Sequence, residues 1–372
     1  MRVLIALKMN ANKIGAIEYY IAMLARALRA RGDELIVSPL SASELVAASW
    51  RAHGAKVIPW GDGGLIGLMN VVRAHEPDIS ILQFFPMVSS VSWCVRLAGS
   101  RAVMVVDDHS GWPTYRGLSR EVARVIAHRA SLAPARRVLA VSEFVRRRHI
   151  ERVRLPASRS RVVYNGVRAP DMALDKDEVP TLVMIGNMIQ DKGFDLLIDA
   201  CATLADQNLR VLLVGDGVER ASLEAHAREV APHVEFLGRR DDVPEILSRA
   251  HIAVVPSRWQ EAFGCVTAEA MRAKCCVIVS DVGASRELVT HRRTGLVVPP
   301  DDAMALADAI RFALENPEKR ARFAEAAKQD ADHRFAVERM VQDILQTLIE
   351  VDHETRQRDD RAHQRLARDP RA

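Results

Sequence analysis

Thirteen short apolar runs, each followed by a segment with helical spacing, constrain the fold of this chain more than any other feature. The runs are rich in β-branched residues, and the intervening segments repeat apolar residues every three or four positions. Parallel strands need long crossover connections, which are usually helices. The pattern therefore predicts an α/β fold built on parallel sheets.

The runs fall into two sets. The first is VLIAL, ELIVSPL, AKVIPW, DISILQ, AVMVV, RVLAV and RVVYNGV, and the second is TLVMIG, LRVLLVG, HVEFL, IAVVP, CVIVS and GLVVP. Each set predicts one Rossmann-like, doubly wound parallel sheet, and 372 residues suit two domains of ordinary size. Because such sheets bind ligands outside the carboxyl ends of their strands, two in tandem predict domains facing across a ligand cleft.

The domain boundaries follow from composition. Residues 168–180, RAPDMALDKDEVP, are polar and predict a linker between an amino-terminal domain, 1–167, and a carboxyl-terminal domain, 181–334. The amphipathic segment at about 335–351 predicts a helix that packs back toward the first domain. Residues 352–372 are almost wholly polar, and we expect a mobile tail there.

Composition favours a soluble globular protein in a reducing compartment. The chain is 49% hydrophobic and 27% charged, and its five cysteines lack C-x-x-C spacing, which argues against a disulfide framework and a zinc site. The segment MRVLIAL is too short for a signal-peptide core, and no run of about twenty apolar residues occurs. We therefore expect a cytoplasmic location, either free or peripheral on the inner face of the membrane.

Charge is unevenly divided along the chain. Residues 1–170 hold 25 Lys/Arg against 12 Asp/Glu, whereas residues 171–372 hold 27 against 36. The basic segments 115–137 and 146–154 are compatible with an anionic lipid surface or a lipid diphosphate acceptor. They are equally compatible with arginines that face water.

The stretch PSRWQEAFGCVTAEAMRAK carries two carboxylates around a strand-to-helix turn. Glu261 falls in the loop, Gly264 permits close backbone approach, and Glu269 lies about a turn into the helix. Two such carboxylates can accept hydrogen bonds from the vicinal hydroxyls of sugars or ribose. Acidic residues near a helix amino terminus also complement the helix dipole, so helix capping remains the alternative from these residues alone.

Two further loops have the composition of phosphate-binding turns. MIGNMIQDKGFDLLIDA has Gly186 at a strand end and then Lys192 before a glycine at a helix start. A lysine and helix amides at such a point can converge on a diphosphate. Near the amino terminus, Gly15 follows the first strand in the same way. A solvated lysine and an ordinary tight turn are the alternatives for each loop taken alone.

These motifs together resemble the retaining GT-B glycosyltransferases of family four, the glycosyl transferases group 1. The resemblance rests on the two glutamates with seven residues between them, followed by GASRELV and TGLVVPPDD. PDISIL, VLAVSEFVRR, VVYNGV, LLVGDGVER and FLGRRDDVPEILSRA occur in the same order as in the family. The resemblance covers residues 1 to 350 and is more specific in the second half.

The resemblance implies a role for each candidate residue. His109, at a strand end in VMVVDDHSGW, would lie near the reacting sugar, although alone it is typical of a loop residue. Lys192 would stabilise the departing diphosphate, with Glu261 beside the donor sugar and Glu269 on the nucleotide ribose. His109, Glu261 and Lys192 are thus the candidate catalytic residues. The candidate donor-binding residues are Gly15, Gly186, Asn187, Lys192, Arg239, Glu261, Ala262, Phe263, Gly264, Cys265 and Glu269.

The chain departs from the family pattern at two places. Asn187 stands where family members commonly carry arginine, and Ala16 stands where they carry a second glycine. The loss of the arginine removes one charge from the diphosphate clamp. Either leaving-group stabilisation is then weaker, or another cation such as Arg258 or Arg239 supplies the charge.

The implied reaction is the retaining transfer of a hexosyl unit from a UDP- or GDP-linked sugar to a saccharide or lipid-linked acceptor, as in polysaccharide or glycoconjugate biosynthesis. The nucleotide diphosphate sugar is a co-substrate, and no cofactor or nucleic acid is expected. No Asp-x-Asp motif occurs near the donor strands, so the chemistry is expected to be metal-independent. Two alternatives share this architecture: a nucleotide-sugar 2-epimerase and a catalytically silent nucleotide-sugar binding subunit.

Overall fold

A computed structural model describes residues 1–13, 15–108, 118–170 and 174–367. The described residues of 1–108, 118–166 and 337–367 form one compact unit, unit 1, and those of 167–336 form a second, unit 2. The division falls after Gly166, one residue before the predicted end of the first domain. The elements of each unit follow in chain order.

Unit 1 is built on a parallel sheet of seven strands in the order β3-β2-β1-β4-β5-β6-β7. The strands are β1 Arg2–Ala11, β2 Glu34–Ala42, β3 Ala55–Val57, β4 Ile79–Gln83, β5 Ala102–Asp107, β6 Ala135–Ala140 and β7 Ser160–Val162. In β1, which lies between β2 and β4, Ile5 pairs with Val37 on one side and Ile81 on the other. All three are buried, as expected for a strand covered by helices on both faces.

The first six helices of unit 1 connect these strands. They are α1 Ala16–Ala30, α2 Glu44–Ala52, α3 Gly64–His75, α4 Val91–Leu97, α5 Leu118–Leu132 and α6 Glu143–Glu151. Ser43 and Ser142 begin α2 and α6 as N-caps, each accepting a hydrogen bond from a backbone amide of the first turn. Trp50 of α2 is fully buried, and its Nε1 donates to Glu18 O (2.9 Å).

Unit 2 is built on a parallel sheet of six strands in the order β10-β9-β8-β11-β12-β13. The strands are β8 Thr181–Ile185, β9 Arg210–Val214, β10 Val234–Gly238, β11 Ile252–Val255, β12 Cys276–Ser280 and β13 Gly295–Val298. Both sheets thus have the predicted number of strands and the predicted parallel arrangement. The strand order reverses between β8 and β11, and this is where an open sheet binds its ligand.

In the described part of unit 2, seven helices accompany the sheet. They are α7 Phe194–Ala202, α8 Arg220–Val230, α9 Val243–Arg249, α10 Cys265–Arg272, α11 Ser285–Leu288, α12 Ala303–Glu315 and α13 Pro317–Arg334. Phe194, Leu197 and Ile310 are almost fully buried in one apolar core with Leu182 and Ile278 of the sheet. This core holds the strand ends that carry most of the candidate site.

The second part of the predicted linker is attached to unit 2. Lys176 Nζ donates to Ala250 O (2.6 Å) and Ala273 O (3.1 Å), which are the residues that end α9 and α10. A cation at two helix carboxyl ends complements both dipoles. Asp177 accepts a hydrogen bond from Thr181 Oγ1 (2.9 Å). Residues 176–180 therefore belong to the domain rather than to a free connection.

The last helix, α14 Val337–Ala367, returns to unit 1 and is longer than the sequence predicted. We expected a helix to 351 and then a mobile tail, but the helix continues to Ala367. Three acidic side chains, one just before its middle and two beyond it, pair with arginines of unit 1: Glu350 with Arg161 (2.7 Å), Glu354 with Arg137, and Asp359 with Arg101 (2.7 Å). This part of α14 is polar because its acidic residues form ion pairs with arginines that are distant in sequence.

Candidate active site

The candidate site of unit 2 lies at the carboxyl ends of β8 and β11. There the Nζ atom of Lys192 lies 2.6 Å from Glu261 Oε1, and Ser257 Oγ donates to the same oxygen at 2.8 Å. The side chains of Lys192 and Glu261 are 32% and 15% exposed, so the pair is partly desolvated yet open to a ligand. The structure thus brings together two of the three candidate catalytic residues.

The turn that carries Lys192 is held against the loop after β11. A 3-10 turn, Gln190–Lys192, ends at Gly193, whose φ of 75° favours glycine. A Cβ atom at Gly193 would lie 2.4 Å from Pro256 O, so the two backbones approach more closely than any side chain permits. The amide of Arg258 also donates to Asp191 O (2.9 Å). Lys192 is therefore placed by backbone contacts with the segment that leads to Glu261.

The backbone of Glu261 is fixed from the other side by the loop after β12. Gly283, with φ 55°, lies so close that a Cβ atom there would be 2.3 Å from Glu261 O. The same carbonyl accepts a hydrogen bond from the amide of Ala284 (3.0 Å). Gly283 is part of the GASRELV motif, but its role in holding Glu261 was not foreseen, because the contact joins residues far apart in sequence.

The segment from Ala262 to Cys265 leads from Glu261 into α10. Ala262 and Phe263 are buried, and the Phe263 ring packs edge-on against Phe335 (centroids 5.3 Å apart). Their side chains are therefore packed inside unit 2. Gly264, with φ 100°, is the N-cap of α10, and the exposed Cys265 is its first residue. The positive end of the α10 dipole consequently begins three residues after Glu261.

Glu269 lies one turn into α10 and is partly buried. Its burial disfavours the charged form and raises the pKa of the carboxyl group to about 7. A carboxyl group with such a pKa changes charge in the physiological range. Hydrogen-bond donors from a ligand would favour the ionised form.

The loop after β8 is supported by two glycines in the GDG sequence after β9. A Cβ atom at Gly215, which has φ 135°, would lie 1.8 Å from Gly186 O, and one at Gly217 would lie 2.3 Å from Met188 O. The amide of Gly186 donates to Val214 O (3.0 Å). The exposed Asn187 lies between these two supports. Sequence reasoning used GDG only as part of the resemblance and missed this contact.

Two arginines were named as replacements for the cation missing at Asn187. The guanidinium of Arg258 is bound by Asp195 and Asp301 (2.7 Å to each), so its charge is already paired within the chain, and its action on a diphosphate stays a prediction. Arg239 is exposed directly after β10, which is separated from β8 by β9. No contact of Arg239 with Lys192 or Glu261 is found among the described residues of unit 2.

The remaining candidates lie in unit 1 or outside the description. Gly15 precedes α1, and its amide donates to Glu18 Oε2 (2.9 Å); its φ of −118° does not require glycine. His109 lies outside the described residues. The preceding strand ends at Asp107, whose buried carboxylate contacts His149 Nε2 at 2.6 Å. His149 Nδ1 lies 2.9 Å from Ser160 Oγ, so a buried polar chain that sequence reasoning missed anchors this strand end.

Comparison with known families decides what kind of protein carries this site. A model described as Glycosyltransferase Family 4 matches residues 17–169, and one described as Glycosyl transferases group 1 matches residues 171–330. The chain belongs to glycosyltransferase family 4. This assignment makes it a glycosyltransferase, and the boundary between the two matched regions falls in the predicted linker.

Curated relatives of this family 4 glycosyltransferase are similar over most of its length. A phosphatidyl-myo-inositol mannosyltransferase of Mycobacterium leprae is 26% identical over 351 residues, covering 86% of this chain and 89% of the relative. An alpha-D-kanosaminyltransferase of Streptomyces kanamyceticus is 32% identical over 157 residues, covering 41% of this chain and 40% of the relative. Similarity to the first thus extends through both units.

Solved structures show the same fold. A glycosyltransferase from Rickettsia africae superposes with a TM-score of 0.78 at 18% identity, covering 94% of this chain and 98% of the other. Anabaena Alr3699/HepE in complex with UDP gives a TM-score of 0.78 at 20% identity, covering 94% and 100%. The predicted GT-B class, with two Rossmann-like parallel sheets, is confirmed. None of the helices within the described residues is long and apolar enough to cross a membrane.

Proposed function

We propose that this family 4 glycosyltransferase transfers a hexosyl unit from a UDP- or GDP-linked sugar to a saccharide or lipid-linked acceptor, with retention of anomeric configuration. The observation that carries the proposal is the pairing of Lys192 with Glu261 at the carboxyl edge of unit 2 (2.6 Å). Support comes from relatives whose names specify mannosyl and kanosaminyl transfer and from a fold relative solved with UDP-glucose.

In the proposed mechanism, Lys192 stabilises the leaving group. As the bond between the anomeric carbon and the β-phosphate oxygen breaks, negative charge accumulates on the diphosphate. A cation and the amino end of α10 are preorganised to meet this charge. This is also the reason for proposing metal-independent chemistry, since the positive charge comes from the chain itself.

Glu261 would orient the donor sugar rather than attack it. Its Oε1 atom already accepts hydrogen bonds from Lys192 and Ser257, which leaves Oε2 for a sugar hydroxyl. Retention then follows if the acceptor hydroxyl approaches from the face that the diphosphate leaves. The acceptor oxygen bonds to the anomeric carbon, and its proton passes to a β-phosphate oxygen. No covalent enzyme intermediate is needed.

Glu269 would hold the ribose of the nucleotide. A ribose with two adjacent hydroxyls supplies two donors, and these favour an ionised carboxylate. The raised pKa of about 7 then has a functional sense: the group is held close to its charged form and becomes fully charged when ribose binds.

A direct test is a turnover assay with UDP- and GDP-linked hexoses, offered phosphatidylinositol vesicles or a saccharide mixture, and read by nucleoside diphosphate release. NMR of the product's anomeric proton reports its configuration. Retained configuration supports the proposal, and inverted configuration contradicts it. A donor epimerised without acceptor would identify the 2-epimerase alternative, and binding without turnover would identify a silent binding subunit.

We also propose that the acceptor is reached at an anionic bilayer, through a face formed by α4 and α5 of unit 1. Leu97 of α4 is 76% exposed, and Val122 and Ile126 of α5 are 49% and 62% exposed. The two helices pack side by side, because Trp93 Nε1 donates to Ala130 O (2.8 Å). Exposed arginines, Arg96, Arg120 and Arg129, accompany the apolar side chains.

A surface that combines apolar side chains with arginines binds anionic interfaces. Vesicle flotation tests this. Wild-type protein should float with phosphatidylinositol-rich vesicles, and the double variant Leu97→Glu/Ile126→Glu should not. Leu45→Glu, at an exposed apolar position on α2, is the matched control. If the wild-type protein does not float, the bilayer proposal fails, and a soluble acceptor takes its place.

A further inference from the structure

The side chain of Arg258 hydrogen-bonds to several groups at the carboxyl edge of unit 2. Its Nη1 and Nη2 atoms donate to the two carboxylate oxygens of Asp195 (2.7 Å each), and its Nε atom donates to Asp301 Oδ1 (2.7 Å). Nη1 also donates to Gln190 O (3.0 Å). Four of its side-chain donor contacts therefore go to groups of the protein itself.

The partners of Arg258 come from two segments, and Arg258 joins them from a third. Gln190 begins the Lys192 turn after β8, Asp195 lies in the first turn of α7, and Asp301 follows β13, whereas Arg258 itself follows β11. A planar guanidinium can make a bidentate contact through its two Nη atoms and a further contact through Nε, whereas a lysine ammonium cannot reproduce this fork. The geometry is that of a bracket joining three segments.

The contacts of this bracket lie on both sides of Lys192 in the sequence. The Arg258 side chain holds Gln190 and Asp195, and the Arg258 amide holds Asp191 (2.9 Å). Lys192 has a flexible four-carbon stem, so the position of its ammonium depends on where the turn lies as well as on Glu261. Release of the bracket would free the turn to move away from the loop of Glu261.

We propose that Arg258 is a positioning residue that fixes the Lys192 turn against the Glu261 loop, so that the ammonium is in place before a diphosphate arrives. Arg258 does not touch the diphosphate in this account. The part that concerns diphosphate binding rests on the proposed function, but the placement of Lys192 against Glu261 does not.

The first test needs no nucleotide. Lys192 in unliganded protein is acylated with a limiting amount of an N-hydroxysuccinimide acetate reagent, and its modification rate is measured by peptide mass spectrometry. A lysine held by a carboxylate reacts slowly, because its amine must leave the pair before it attacks. We expect Arg258→Lys and Asp195→Asn to raise the Lys192 rate several-fold.

Two controls are internal to unit 2. Arg286→Ala removes an exposed arginine paired with Asp281 on the loop after β12 (2.5 Å) and should leave the Lys192 rate unchanged. Lys274, paired with Glu325 (2.9 Å), should keep its rate in every variant. A Lys274 rate that rises together with Lys192 would show general unfolding. Asp301→Asn, a milder change, then replaces the disrupted variant.

The second test is a double-mutant cycle on UDP and GDP affinity. If Arg258 acts through Lys192, Arg258→Lys loses affinity in wild type but has almost no further effect in Lys192→Ala. Additive losses would show direct contact of Arg258 with the ligand and overturn the inference. If wild type binds neither nucleotide, the proposed function fails, and the acylation rates alone decide: an unchanged Lys192 rate in Arg258→Lys contradicts the positioning role, and a raised rate supports it.

Discussion

The carboxyl edges of the two sheets are held in different ways. In unit 2 the loops are fixed by backbone contacts at glycines, as where Gly215 meets Gly186, and this leaves Lys192 and Glu261 partly exposed. In unit 1 polar side chains at two strand ends pair with helix side chains inside the core. Tyr20 donates to Gln83, and Asp107 pairs with His149 (2.6 Å). Backbone fixation leaves side chains for a ligand, whereas side-chain fixation uses them internally.

This difference agrees with the proposal that unit 2 binds the donor and unit 1 meets the acceptor. A donor whose nucleotide and diphosphate vary little suits a rigid backbone frame. An acceptor domain can vary in its loops as long as its interior pairs hold the strand ends.

The strongest test of side-chain fixation is His149→Leu. The variant removes one partner of a buried acid–imidazole pair, so we expect a loss of about 4 kcal/mol in unfolding free energy. Denaturant unfolding followed by circular dichroism measures it. His226→Leu is the matched control, because His226 pairs with Asp199 at the same distance (2.6 Å) but on the surface. Equal effects of the two variants would refute a special role for the buried pair.

Backbone fixation in unit 2 is tested by Gly215→Ala. The new Cβ would lie 1.8 Å from Gly186 O, a backbone atom that cannot move aside, and we expect a loss of about 3 kcal/mol. Gly99→Ala is the control: its φ of 119° is also positive, but no atom lies within 4 Å of its Cβ position. We expect only about 1 kcal/mol there. Similar losses would show that φ strain, not close approach, matters at Gly215.

The exposed side chains of unit 2 should matter for activity and not for folding. Lys192→Ala should lower kcat/KM by about 10² to 10³, because a preorganised charge at the leaving group is lost. Its unfolding temperature should stay within a few degrees of wild type. Lys274→Ala serves as the control for a paired lysine elsewhere in the unit. A fall of less than about tenfold would contradict the role of Lys192.

The smallest effect is expected from Glu269→Gln and depends on pH. Burial raises the folded pKa of Glu269 to about 7, above its unfolded value, so ionisation costs stability as pH rises through that interval. The variant should match wild type near pH 5 and melt a few degrees higher at pH 8. Its nucleotide affinity should fall most at pH 8, where wild type is charged. Glu325→Gln is the control: Glu325 pairs with Lys274 at the surface, and this variant should show no such gain.

Sequence patterns predicted the architecture well because periodicity and β-branched runs are local properties. The two parallel sheets and their strand numbers followed from them, whereas the roles of Lys192 and Glu261 came only from the family resemblance. The extension of α14 to Ala367 did not, because its acidic residues gain their partners only in the folded chain. By composition alone, such a polar run is typical of a disordered tail.

The details of the site were less predictable for a similar reason. Gly215 and Gly283 are required by backbone contacts with residues that are distant in sequence, and no local pattern distinguishes them from turn glycines. The commitment of Arg258 to Asp195 and Asp301 likewise depends on three segments meeting. Residue type indicated which groups carry chemistry, but not which of them are used to hold the others in place.

The measurement that tests the central claim most directly is a thermal-shift panel of UDP, GDP, ADP and their sugar conjugates. A ligand that binds only the folded state raises its melting temperature. The account predicts a clear shift with one nucleoside diphosphate, lost in Lys192→Ala and Glu269→Ala and kept in Lys274→Ala. No shift with any ligand, or a shift unchanged in the first two variants, would contradict a donor site at the carboxyl edge of unit 2.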